Sequence, residues 1–274
     1  MRFQFFLLRK SKKRSRVVGG RYSFKRSDEM EVTILGFWGG YPYNNEGTTS
    51  FLLQSKGYSL LLDAGSATLI QLQKVMDPLE LDSVILTHYH HDHIADLGVL
   101  QYLRQLKPTT NIPELLIYGH KEDESHFNQL TLQNVSKGVS YNPSESIEIG
   151  PFQISFLKTI HPVTCYAMRI LEKETGKVFV FTGDTGYFDE LIEFSKNADL
   201  LITDTYFLAG NENHHAHLTS KETAHLAKEA GVKQLVLSHL NQHIDLELLL
   251  NQTTDYLENK IPVQLAATQL KITI

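Results

Sequence analysis

Cysteine is nearly missing from this chain: Cys165 is the only one in 274 residues. That excludes a disulfide framework and any zinc site built from several thiolates. Long apolar runs are missing too, and none approaches the roughly 18 residues that a membrane span needs. The early apolar piece FQFFLL is too short for the core of a secretory signal, and no small-residue cleavage site follows it. No internal repeat, low-complexity segment or interdomain linker interrupts the sequence. These absences lead us to expect a soluble, cytoplasmic chain with one folded domain, and 42% hydrophobic content supports a sizeable core.

Basic residues are scarce except at the start. Residues 1–29 carry ten Lys or Arg against two acids, whereas residues 30–274 carry 16 against 29, a net of −13. The opening segment has no useful periodicity and reads as a solvated tail. Its end, KRSDEM, back-translates naturally to AAA-AGG-AGT-GAT-GAA-ATG, in which AAGGAGTGAT is a bacterial ribosome-binding sequence placed before an ATG. We therefore expect residues 1–29 to be disordered or untranslated, with translation starting at Met30 and the folded domain spanning 30–274. Native peptides from upstream of Met30, found by mass spectrometry, would refute this.

From Met30 onward short apolar strands alternate with amphipathic helices. EVTILGF, TSFLLQS and YSLLLDAG read as a meander, and PFQISFLKT, CYAMRILEK and KVFVFTGD as a second run of strands. SATLIQLQKVM, DLGVLQYLRQL, KEDESHFNQLTLQ, DELIEFSKN, SKETAHLAKEAG and IDLELLLNQTTDYLE have helical spacing or length. Two β-rich halves, each edged by helices, predict two packed sheets with helices outside.

The stretch Thr87 to His93, THYHHDH, directly follows the buried strand SVIL. Four histidines and an aspartate in seven residues are poorly explained as ordinary core or surface groups. A tight loop would aim His88 and His90 at one point, and Asp92 and His93 at another. Imidazole and carboxylate suit zinc, manganese or iron(II). Further donors stand where three other apolar segments end: His161 after FLKTI, Asp184 after VFVFTG and His239 after QLVLS.

HxHxDH followed by a distant His, the Asp of TGDT and a last His after a strand resembles the metallo-β-lactamase superfamily over essentially residues 30–274. The resemblance implies an αββα sandwich with a dinuclear metal centre and hydrolase activity. It implies that His88, His90 and His161 hold one ion, that Asp92, His93 and His239 hold the second, and that Asp184 bridges them. Two zinc ions are implied first, with manganese or iron(II) as alternatives. Asp63, in LLLDAG, matches an aspartate that orients a ligand histidine without touching metal. His91 receives no role.

The branches of that superfamily differ at positions legible here. True β-lactamases carry a cysteine where this chain has Asp184, and flavodiiron proteins a glutamate where it has His90. Glyoxalase II needs a helical C-terminal domain, for which the 35 residues after His239 leave little room. The segment NHHAHLTSKETAHLAKEAGVKQLVLSHL is similar to the ribonuclease Z branch. By that likeness His217, oriented by Asp204, is a proton donor, and Asp92 joins them as catalytic. Thr219 and Ser220 are expected to cap the following helix. His214 and His215 lack a counterpart and read as solvated.

Two departures matter for the substrate. Only 22 residues separate His161 from Asp184, too few for the arm with which ribonuclease Z grips tRNA. The core's net of −13 also disfavours a large polyanion. We expect a small phosphodiester or a short RNA 3′ end as substrate, no membrane partner and a homodimer, as is usual in the resembled branch. Hydrolysis of a lactone, carboxylic ester or thioester is the second reading, since Tyr187 follows Asp184 by three residues where lactonases of this superfamily carry a tyrosine. A tRNA 3′-processing endoribonuclease is a lesser one, and a non-catalytic binding module is disfavoured because every metal-ligand position is filled.

Overall fold

Alternate residues of a strand point to opposite faces, and in the leucine-rich strands of this chain both faces are buried. Phe51 and Leu53 enter one hydrophobic cluster while Leu52 enters another; Leu60 and Leu62 divide from Leu61 in the same way. Strands covered on both sides have no polar face to show, so they read as continuous apolar runs. The computed structural model describes residues 29–107, 112–212 and 214–274; the basic opening segment, Glu29 excepted, lies outside them.

The first half of the chain forms β1 (Glu31–Trp38), β2 (Gly47–Thr48), β3 (Ser50–Ser55), β4 (Tyr58–Leu62), β5 (Ser83–Ile85), β6 (Leu115–Gly119) and β7 (Ser136–Ser140). The second forms β8 (Ile147–Ile149), β9 (Phe152–Lys158), β10 (Tyr166–Glu172), β11 (Val178–Phe181), β12 (Leu200–Asp204), β13 (Leu235–Ser238) and β14 (Val263–Leu265), before β15 (Lys271–Thr273) returns to the first sheet. One sheet runs β15-β1-β3-β4-β5-β6-β7, with β2 beside β1; the other runs β8 to β14 in chain order. Both follow one plan, in which three antiparallel pairings give way to three parallel ones. The change falls at β4 in one sheet and at β11 in the other. This repeated architecture has no counterpart as a repeat in the sequence.

Helices cover the outer faces. Those over the first sheet include α1 (Thr68–Leu72), which precedes the one-turn α2 (His91–Ile94), then α3 (Leu97–Gln105) and α4 (Glu124–Gln129). Leu72, Leu97, Leu100 and Phe127 anchor this layer. Over the second sheet lie α5 (Glu190–Phe194), α6 (Ser220–Ala230) and α7 (Leu246–Tyr256), anchored by Leu191, Ala224, Ala227 and Leu249. Between the sheets, Phe51 and Phe181 meet edge to face at 4.9 Å. The architecture is the expected αββα sandwich. Among the described residues no helix is long and apolar enough to cross a membrane.

The structure corrects several local expectations. Residues 91–94 form a helical turn where a plain loop was expected, and β7, β8 and β14 are additional strands, each short and half exposed. The expected helix over 121–133 shrinks to Glu124–Gln129, because Asp123 caps it by accepting from the His126 N–H. Thr219 caps α6 in a reciprocal box with Glu222. Ser220, expected to share that task, instead donates its hydroxyl to Gln252 at 2.7 Å.

Candidate metal centre

Where parallel strands end, their C-terminal loops carry polar groups into one crevice. Asp63 follows β4 in the left-handed region at φ 57° and is wholly buried. Its carboxylate accepts from the Thr87 N–H and the Thr87 hydroxyl, both at 2.8 Å, and from His93 Nδ1 at 2.7 Å. The Thr87 hydroxyl uses its one O–H in the bond to Asp63, so at 3.0 Å it accepts from His88 Nδ1. The carbonyl of Ala216 accepts from His161 Nδ1 at 3.2 Å. Three rings are thereby fixed through Nδ1, so the Nε2 atoms of His88, His93 and His161 point inward. Fixing a ligand ring through its outer nitrogen is the common support of a metal-binding histidine.

The inward atoms meet with metal-site spacing. His90 Nδ1 lies 3.1 Å from Nε2 of both His88 and His161. Asp184 Oδ2 lies 3.6 Å and 3.8 Å from those two Nε2 atoms. On the other side His93 Nε2 stands 3.2 Å from Asp184 Oδ1 and 3.7 Å from Asp92 Oδ2, and His239 Nε2 3.3 Å and 3.9 Å from Asp184 Oδ2 and Asp92 Oδ2. A tetrahedral ion with bonds of about 2.0–2.1 Å holds its donors about 3.3 Å apart. His93 Nε2 and Asp184 Oδ1 are buried and complete no hydrogen bond. The residues present fit two ions: His88, His90, His161 and Asp184 could hold one, and Asp92, His93, Asp184 and His239 the other.

Electrostatics favours the same occupants. Asp63, Asp92, Asp184 and Asp204 are all buried, and among the described residues each ion pair they make is with a histidine. Burial acts to raise the Asp184 carboxyl, but His239, His93 and His88 outweigh it and hold it well below the usual range. Burial acts to lower His93, yet Asp184, Asp92 and Asp63 raise it well above its ordinary value. Burial lowers His88, helped by His93, and also lowers His90 and His161, which leaves these rings neutral and ready to donate lone pairs.

His217 stands over this cluster, 5.2 Å from the His239 ring and 5.7 Å from that of His161. Its Nδ1 lies 2.8 Å from Asp204 Oδ2, so the expected dyad is assembled. Asp204 closes β12 and also accepts from the Thr185 N–H at 3.1 Å. Burial acts to lower His217, but Asp204 prevails and raises its pKa to about 9. Cations in the cluster would draw that value down toward neutrality. His91, His214 and His215 are exposed. Tyr187 turns elsewhere: its hydroxyl donates to Asp189 at 3.0 Å, and its ring packs 5.7 Å from that of His225 on α6.

Sequence reasoning missed the loop after β1. A Cβ on Gly39 would lie 2.7 Å from the His239 ring, and the Gly40 N–H donates to Asp92 Oδ2 at 2.7 Å. The pair GG after a strand was the available signal. Thr49, whose hydroxyl lies 3.1 Å from His239 Nδ1, and Tyr206, whose ring stacks on His217 at 4.8 Å, carried no signal.

Comparison with known proteins places this geometry. The model of the Beta-lactamase superfamily domain matches residues 58–240. The chain is 48% identical over 214 residues to the probable metallo-hydrolase YhfI of Bacillus subtilis (strain 168), covering 77% of this chain and 87% of that protein. The crystal structure of the metallo-beta-lactamase fold protein YhfI from Bacillus subtilis superposes with a TM-score of 0.85 at 42% identity, over 90% of this chain and 100% of that one. A ribonuclease Z of Methanosarcina mazei is 26% identical over 291 residues, covering 85% of this chain and 95% of the relative.

Proposed function

The chain belongs to the metallo-β-lactamase superfamily, in its ribonuclease Z-like branch, and from that premise we propose that this metal-dependent hydrolase cleaves small phosphodiesters. The observation that carries the reading is the Asp204–His217 dyad, poised over the donor cluster at the position expected of that branch. His88, His90 and His161 would hold one zinc ion and Asp92, His93 and His239 the other, with Asp184 shared. Two bound ions supply Lewis acidity and a water acidic enough to attack near neutral pH.

The chain's own groups do the rest. Asp204 fixes Nδ1–H of His217, which leaves Nε2–H free to protonate the departing alkoxide. Tyr206 stacks on that ring and holds its plane. Gly40 holds Asp92 from behind through its N–H, and Asp63 sets the angle of His93.

Size restricts the substrate. Between His161 and Asp184 the chain forms only β10, β11 and their connections, with no protruding arm. With the core's net of −13 this supports small diesters or short RNA 3′ ends over a folded tRNA precursor. The Tyr187 hydroxyl is engaged with Asp189, which gives the lactone reading no support.

A substrate panel tests the proposal. The metal-loaded protein should hydrolyse bis(p-nitrophenyl) phosphate and should carry about two transition-metal ions by elemental analysis. Turnover confined to lactones or thioesters, and dependent on Tyr187, would sink the phosphodiesterase reading.

A further inference from the structure

On its His90 side the donor cluster adjoins a second cavity of about 420 Å³, lined by Tyr89, His90, His120, Glu124, His126 and Thr164 among others. That lies within the roughly 300–1,000 Å³ of small-molecule sites. Gly119, the last residue of β6, makes room for its wall. A Cβ there would stand 2.4 Å from the Tyr89 hydroxyl, which instead donates to the His120 carbonyl at 2.6 Å. The wall is aromatic: His120 lies 4.6 Å from Tyr89 and 5.8 Å from Tyr166, and Tyr89 stacks with His126 at 5.6 Å and 12°.

His120 is the unexplained group. It is only 2% exposed, yet neither ring nitrogen completes a hydrogen bond; the Thr164 backbone approaches it outside bonding geometry. A buried imidazole without partners costs free energy unless something else satisfies it. At the rim Glu122 is held by Lys158 at 2.6 Å and by Tyr166, and Asp123 by His126 at 2.7 Å. The Glu124 carboxylate makes no hydrogen bond or ion pair among the described residues.

We propose that this cavity is a nucleobase subsite that takes an amino-bearing purine, with the attached phosphodiester reaching the donor cluster past His90. This deepens, and depends on, the phosphodiesterase reading for what happens beyond His90. Flat aromatic faces suit a base, which stacks on them whatever its sequence identity. Carboxylates accept and never donate, so the rim selects an edge rich in N–H groups. Adenine and guanine present an exocyclic amino group on a large ring, whereas uracil presents one imino N–H between two carbonyls. The negative rim also turns a second phosphate away.

Nucleosides carry no phosphate, so their binding separates the subsite from the chemistry. Equilibrium binding of adenosine, guanosine and uridine to the metal-loaded protein should favour both purines at least about tenfold. His120→Phe keeps the ring's volume and should weaken adenosine about tenfold, as should Glu124→Gln, in line with the loss of one hydrogen bond. Adenosine should also shift the His120 ring signals of ¹⁵N-histidine-labelled protein, a readout that needs no variant to fold. Binding as expected without any phosphodiester hydrolysis would leave the subsite standing and remove the phosphodiesterase reading. Hydrolysis of bis(p-nitrophenyl) phosphate with adenosine and uridine binding equally, or neither binding at millimolar concentration, would overturn the subsite. So would His120 signals that adenosine leaves unmoved.

Discussion

Strand β11 has a buried aspartate near each end, and the two are treated oppositely. At its start Asp199 accepts from the Val178 N–H at 2.9 Å and from Lys233 and Lys177 at 2.7 Å and 3.2 Å. Past its end the Asp184 carboxylate meets only imidazoles among the described residues, and its Oδ1 completes no hydrogen bond. Both have little exposed surface, Asp199 7% and Asp184 1%. What differs is satisfaction. A buried charge whose partners are complete holds the fold, whereas one left short of partners keeps room for an ion.

Removing each carboxylate should separate the two cases. Asp184→Ala should abolish hydrolysis more completely than loss of any one histidine and take bound metal below one ion per chain, by elemental analysis. Residual turnover above that of the single His→Ala variants would contradict a shared role. His217→Ala comes next: turnover should fall by about 10²–10⁴-fold, with metal content unchanged. If metal leaves with the imidazole, His217 belongs among the ligands.

A smaller effect should divide the donor sets themselves. His88, His90 and His161 add no carboxylate to Asp184, and His90 is only half-buried. The other set adds Asp92, and all its members are buried. Titration with dipicolinate should therefore strip one ion before the other, and His90→Ala should erase the early step. Simultaneous loss of both from the unaltered protein would count against that asymmetry.

The smallest effect concerns Asp199. Burial acts to raise its carboxyl, but Lys233, the Val178 N–H and Lys177 outweigh it and hold the pKa below the ordinary value. A depressed folded-state pKa gives stability that is present above the unfolded value of about 3.9 and lost as pH falls through the folded one. Asp199→Asn should thus cost about 1–3 kcal/mol in urea unfolding at pH 7, and the gap should close as pH falls below about 3.9 through the depressed folded value. Hydrolysis should be retained, since Asp199 touches none of the donors.

Much of this was legible in the chain, for identifiable reasons. Strands buried on both faces announce themselves as apolar runs, and THYHHDH concentrates groups that a fold places together only for a purpose. The Asp204–His217 pairing was legible from the branch resemblance. The supporting hydroxyls of Thr49 and Thr87 were not, because a threonine beside a strand is ordinary. His120 was hidden for a similar reason: one histidine after a strand says nothing until its neighbours fail to bond it. The short strands β7 and β14 escaped because edge positions relax the hydrophobic pattern.

Each donor set draws on both sheets: His88 and His90 with His161 and Asp184, Asp92 and His93 with Asp184 and His239. An ion in either place is therefore a clasp across the sandwich, resisting a shear that the oily layer between Phe51 and Phe181 opposes only weakly. By mass action an ion at a thousand times its dissociation constant adds about 4.1 kcal/mol to folding. The metal-loaded chain should accordingly melt far above the stripped one, and under a pulling force its two halves should part only after the clasp has opened.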